Sequence, residues 1–386
     1  MSASAAPERL FCPQLFDGRA LRRGVTLHLG QGGRIAGIED GRHADAADLP
    51  PGGHTVAPGL VDIQVNGGGG VLFNDAADAR SIAAIAAAHL ARGTTSLLPT
   101  LITDTSDQMR RTLEAAAAAR AADSGILGVH IEGPFINKNR KGAHRADLIR
   151  AINPGDMRLL RDAAQTTNIL LTLAPECVPA GTIKTLTDAG VRVFAGHTGA
   201  TAAEMRAARA EGLCGVTHLF NAMSQILPRE AGCAGAALAD ASLYAGIILD
   251  GHHVARDTFD ILRKARGTER LILVSDAMPP AGARMESFVL QGETIRVTGG
   301  ACVNASGALV GAAICLSDAV RIGVVDYGLK LEEALRAATS TPAEMLGLGG
   351  EIGVLAPGAR ADCVILDAAL RPGRVIKCGR IVDNTF

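Results

Sequence analysis

Residues 94–132 read TTSLLPTLITDTSDQMRRTLEAAAAARAADSGILGVHIE: an apolar run ending near Thr100, an Ala-rich amphipathic stretch from Asp107 to Ala122, and a second apolar run ending at Glu132. Apolar runs of four to six residues have the length of buried strands, and the stretch between them has helical spacing, so the segment predicts a βαβ unit. Such units build a parallel sheet.

The same alternation continues in both directions. Amphipathic stretches recur at Arg80–Arg92 and Thr201–Glu211, and apolar runs end near Gln64, Thr100, Glu132, Glu176, His197, His218, Asp250 and Asp276. Eight is the strand count of a (β/α)8 barrel, whose active sites gather at the carboxyl ends of the strands. A doubly wound open sheet would instead carry a glycine fingerprint after its first strand. The NGGGG stretch at Asn66–Gly70 does not fit that fingerprint, and it reads as a turn before it reads as a phosphate cradle.

The ends of the chain have another texture. RLFCPQLF, GVTLHLG and RIAGIED near the start, and EIGVLAPGARADCVILD and RVIKCGRIVD from Glu351 onward, are short apolar runs punctuated by Gly and Pro. We expect residues 1–56 and 351–386 to form one small β-rich domain, with the barrel over 57–350. A length of 386 residues suits one large domain and a smaller companion.

Composition excludes several classes of function. Hydrophobic residues at 48% and charged residues at 20% describe a foldable globular chain. With 38 Lys and Arg against 39 Asp and Glu, no basic block, 3% aromatic residues and no Trp, the chain lacks what nucleic-acid binding needs. The eight cysteines form no C-x-x-C pair. No uncharged apolar run is long enough for a membrane helix and Met1–Arg9 is unlike a secretory signal, so a cytoplasmic protein without disulfides is expected.

Three run-end residues are suitable ligands for a borderline divalent ion: Glu132 in HIEGPF, His197 in FAGHTGAT and His218 in VTHLFNAM. One carboxylate and two imidazoles leave coordination positions open, as a catalytic ion requires. His130, on the same strand face as Glu132, is a candidate supporting partner. Asp276, after LILVS and before AMPPAG, lies at the mouth of the last strand, where a carboxylate can accept a proton and return it to a departing amine. After the seventh run stand His252 and His253; His253 is the preferred donor to a carbonyl oxygen gaining negative charge. The Asn221–Ala222 backbone with Arg229 offers an anion site.

These segments, in the order APGLVDIQVNGGGGVLFND, HIEGPFIN with KGAH, GHTGAT, THLFNAMSQILPRE, DGHHV and SDAMPPAG, make the chain resemble the N-acetylglucosamine-6-phosphate deacetylases of the amidohydrolase superfamily over nearly its whole length. The resemblance implies a distorted barrel with a small β-sandwich from both termini, and a homodimer. It also implies an ion held by Glu132, His197 and His218, with Asp276 transferring protons. Contacts to the amino sugar phosphate are implied for Gln64, Ala143, Asn221, Ala222, Arg229, His253, Val310, Gly311 and Ala312, and Arg229 is implied to reach into the partner's site. The wider superfamily often has an H-x-H pair after the first strand, but Gln64 and Asn66 stand here. Amides ligate zinc poorly, so one divalent ion per subunit is expected, zinc first, with iron or another divalent ion as alternatives. Binuclear ring openers carry a bridging lysine at the fourth strand, where this chain has Glu176.

Overall fold

A computed structural model describes residues 3–123 and 125–382, so the outermost residues of the expected terminal domain lie outside the description. Eight parallel strands form one sheet in chain order: β1 (Leu60–Val65), β2 (Thr94–Ile102), β3 (Gly128–Glu132), β4 (Asn168–Leu173), β5 (Arg192–Ala195), β6 (Gly215–Val216), β7 (Tyr244–Ile247) and β8 (Leu271–Leu273). Helices occupy the connections. Asp78 caps Ala79–Leu90 by accepting from the Ser81 N–H, and Thr105 caps Ser106–Ala122 by accepting from that of Gln108. Thr201 and Glu204 form a reciprocal capping box at the start of Ala202–Ala210.

The first and last strands meet with almost no ladder. Val65 bridges Ala277, the Gly67 N–H donates to the Ala277 carbonyl at 2.8 Å, and the Ser275 N–H donates to Asp62 Oδ1 at 3.3 Å. The architecture is a nearly closed (β/α)8 barrel. Along β3, Val129 and Ile131 pack into the layer under the helices, so His130 and Glu132 fall on the inward face. Leu98, Leu170, Phe194 and Ile272 lie earlier on their strands and pack with Ala343, Met345 and Leu346. That apolar floor leaves the polar residues at the opposite, carboxyl end.

Strands from both termini share a second eight-stranded sheet, in which Thr55–Pro58 pairs with Arg9–Phe16 on one side and with Cys363–Leu366 on the other. Its apolar residues, among them Leu15, Leu27, Val56 and Ile365, make a core of their own. Gly59 joins this sheet to β1, and a Cβ there would stand 2.1 Å from Thr95 Oγ1. Only glycine lets the two units approach so closely. A four-stranded antiparallel sheet between Ser287 and Ala312, which the pattern of apolar runs did not announce, follows β8. Its last strand, Leu309–Ala312, returns to the barrel mouth, where the Ala312 N–H donates to the Asp276 carbonyl at 2.9 Å.

Candidate metal centre

Glu132 ends β3, while His197 and His218 each lie two residues beyond β5 and β6. Glu132 Oε1 is 3.0 Å from His197 Nε2 and 3.0 Å from His218 Nε2, and the two ring nitrogens are 3.1 Å apart. All three side chains are buried. His197 donates through Nδ1 to the Arg140 carbonyl at 2.9 Å, so in the neutral ring Nε2 turns a lone pair toward Glu132. One carboxylate oxygen and two imidazole nitrogens converge within 3.1 Å of one another, a donor set that fits a divalent ion.

The electrostatics agree. Burial pushes the Glu132 carboxyl up, but hydrogen bonds and charge from His197 and His218 overcome it and hold the group well below its ordinary range. Burial pulls His218 down, yet Glu132 outweighs that and raises it.

Opposite this cluster stands Asp276, three residues past β8. Asn66 Nδ2 donates to its Oδ1 at 2.6 Å and Gln64 Nε2 at 3.1 Å, while Gln64 also spans toward Glu132 at 3.4 Å. Burial, and then the Glu132 charge, raise the Asp276 carboxyl above its usual value. His197, His218 and Asp276 have φ of 48°, 32° and 47°, a left-handed conformation that non-glycine residues seldom hold. Each costs on the order of 1–3 kcal/mol, which the surrounding hydrogen bonds offset.

The ligand cluster, Asp276 and Asn66 share one cavity of about 320 Å³. Of the residues expected at the sugar phosphate, Ala143, Asn221, Ala222, His253, Val310 and Gly311 line it. Gln64 lies beneath it, bonded to both carboxylates, and Ala312 is engaged through its backbone with Asp276 and Met278. His253 Nδ1 pairs with Asp250 Oδ2 at 2.8 Å, and Asp250 Oδ1 accepts the His252 and His253 N–H groups at 2.9 Å. Burial raises the Asp250 carboxyl, but the bonds and charge of His253 bring it below its ordinary value.

Arg229 is not part of this cavity. It is exposed on a turn between Leu227 and Glu230, beside the exposed side chains Ile226 and Leu227. Glu230 pins the turn by accepting the Ala202 and Gly232 N–H groups.

His130 touches the cluster less directly than expected. Its Nε2 is 2.7 Å from Thr172 Oγ1, which is 2.6 Å from Thr217 Oγ1, and burial lowers the ring to about 4. It is a neutral member of a polar layer below the ligands. Three N–H groups of the NGGGG loop are engaged: Gly67, Gly69 and Gly70 donate to the carbonyls of Ala277, Ala281 and Pro279. Those N–H groups are spent on the Asp276 loop and cradle no phosphate.

Sequence reasoning gave no role to His144, whose ring lies 4.3 Å from that of His197 and whose Nδ1 is 2.7 Å from Thr103 Oγ1. Glu132, His144 and His197 also gather ligand atoms within 4.8 Å of one another. The closer set is Glu132, His197 and His218, whose facing atoms lie within 3.1 Å of one another. No apolar run precedes His144, so its signal was confined to the KGAH motif.

Among the described residues no helix is long and apolar enough to cross a membrane. The amidohydrolase family model matches residues 55–386. An N-acetylgalactosamine-6-phosphate deacetylase of Shewanella sp. is 38% identical, across 81% of this chain and 79% of the relative. An N-acetylglucosamine-6-phosphate deacetylase of Haemophilus influenzae is 33% identical, across 81% and 82%. The N-acetylglucosamine-6-phosphate deacetylase of Pasteurella multocida superposes with a TM-score of 0.91 at 31% identity, covering 96% of this chain and 98% of the other. Fold, sequence and relatives agree: the chain belongs to the N-acetylglucosamine-6-phosphate deacetylase family of the amidohydrolases.

Proposed function

We propose that the protein removes the acetyl group from N-acetylglucosamine-6-phosphate, with one divalent ion, zinc or iron, held by Glu132, His197 and His218. The observation that carries this reading is the placement of Asp276 across a single cavity from those three ligands. When bound, the ion polarises the acetamide carbonyl and acidifies a water.

The residues do the rest. Asp276, whose carboxyl burial pushes up, takes a proton from the attacking water and delivers it to the amine as the C–N bond breaks. Asn66 and Gln64 fix its Oδ1, leaving Oδ2 for the proton. His253, oriented by Asp250, presents Nε2 to the carbonyl oxygen. Acetate and glucosamine-6-phosphate leave. In this reading residues 57–350 are the catalytic barrel, and 1–56 with 351–386 its supporting domain.

Acetate release from N-acetylglucosamine-6-phosphate tests the proposal: activity is expected, lost on chelation and regained with zinc or iron. Absence of release, or release indifferent to chelator, refutes it. The Shewanella relative favours a second substrate, N-acetylgalactosamine-6-phosphate, and the same assay ranks the two by kcat/KM.

Arg229, exposed beside Ile226 and Leu227, suits a homodimer in which it grips the phosphate in the partner's cavity. Mixing Arg229→Ala with Asp276→Asn chains then regenerates active sites in the mixed dimer. Mixtures as inactive as either parent rule this out.

A further inference from the structure

Glu176 sits in the short turn Pro175–Cys177 beyond β4, outside the cavity and half-buried. Its carboxylate gathers three donors from two other loops: Asn137 Nδ2 at 2.8 Å, Thr198 Oγ1 at 2.5 Å and the Gly199 N–H at 2.5 Å. Thr198 and Gly199 directly follow His197. Asn137 opens the turn Lys138–Arg140, whose last carbonyl accepts His197 Nδ1 at 2.9 Å. The Asn137 N–H also donates to the His197 carbonyl at 2.9 Å. Thr198 extends the brace to the loop after β6, since its N–H donates to the Ala222 carbonyl and its carbonyl accepts from Ser224.

We infer that Glu176 is a positioning residue for the metal ligand His197: it ties the loop that carries the imidazole to the loop whose Arg140 carbonyl sets the orientation of that ring. The inference rests on the metal reading proposed above. His197 holds a φ of 48°, a conformation that relaxes unless its neighbours constrain it. Both the backbone that follows the ring and the carbonyl that orients it are held through one carboxylate. Groups that orient a metal-bound histidine typically account for tenfold to hundredfold in metal affinity.

Glu176→Gln is nearly isosteric, yet its amide nitrogen cannot accept from Thr198 while Asn137 and Gly199 use the remaining oxygen. The test is zinc affinity by chelator competition for wild type and Glu176→Gln, alongside thermal unfolding of both metal-free proteins. The expected result is a zinc Kd about tenfold to hundredfold higher in the variant, with faster zinc release, while the metal-free midpoints coincide. Thr198→Val, which removes one donor, is expected to shift Kd in the same direction by less. Unchanged affinity in Glu176→Gln overturns the inference. Should Glu176→Gln not fold, Thr198→Val with unchanged zinc affinity overturns it equally. A wild type that binds neither zinc nor iron, the latter titrated in parallel, would defeat the metal reading itself, a separate outcome.

Discussion

The two walls of the cavity solve opposite problems. On the wall built from β3, β5 and β6, Glu132, His197 and His218 bring acceptors to within 3.1 Å of one another. On the wall built from β1 and β8, Asn66 and Gln64 donate to Asp276, so most of that polarity is satisfied within the protein. The first wall presents the donor set of a divalent ion. The second holds its carboxylate through two amide donors and leaves the Asn66 side-chain oxygen without a partner among the described residues. In the function proposed above, placing acid and amides together on one side lets proton transfer be arranged apart from ion binding.

If that division holds, damage to the two walls has different signatures. Glu132→Gln removes the one anionic ligand and should give the larger effect: the ion lost during purification and turnover at background. Asp276→Asn should keep the ion and lower kcat about 10³-fold, in the range of a general acid–base group. Metal content measured beside kcat separates them. An Asp276→Asn protein without metal, or a Glu132→Gln protein with it, breaks the comparison.

Asp250→Asn sharpens it further, because Asp250 belongs to neither wall yet serves the cavity through His253. Asp250 accepts Nδ1–H, so a hydrogen bond from Nε2 places positive charge on the ring, which Asp250 balances. Asparagine leaves a neutral donor. We expect kcat to fall about tenfold with zinc affinity unchanged, since charge-assisted hydrogen bonds are roughly twice as strong as neutral ones. A fall in metal content would instead place His253 on the metal wall.

The barrel was legible because a buried parallel strand writes itself as an apolar run, and a polar residue at its end stands out against that run. Glu132, His197, His218 and Asp276 were visible in this way, although β5 and β6 stop two residues short of their histidines. The left-handed turns after those strands carry the chain the rest of the way. The four-stranded sheet from Ser287 to Ala312 was not legible. Its strands are half exposed, with Glu293, Thr294 and Arg296 facing out, so no apolar run marks them. Asn66 as a partner of Asp276 and Glu176 as a brace were hidden for another reason: their roles lie in pairings across some 210 and 22 residues.

The smallest predicted effect concerns what holds the second wall in place. His89 is fully buried on the helix after β1, and its Nε2 lies 2.9 Å from the Gly67 carbonyl, in the loop that carries Asn66 toward Asp276. Burial lowers its pKa from 6.5 in spite of that bond, and among the described residues nothing accepts from or donates to Nδ1. A histidine lowered in the folded state binds its proton more readily when unfolded. Stability is therefore full above about 6.5 and declines as pH falls below it, until the folded pKa is reached. His130, lowered to about 4, adds to the same decline. His89→Gln can still donate to the Gly67 carbonyl but does not titrate, so its unfolding midpoint should change less between pH 7.5 and pH 5 than that of wild type. An equal change in both proteins would show that the buried imidazole is not part of the acid sensitivity of this wall.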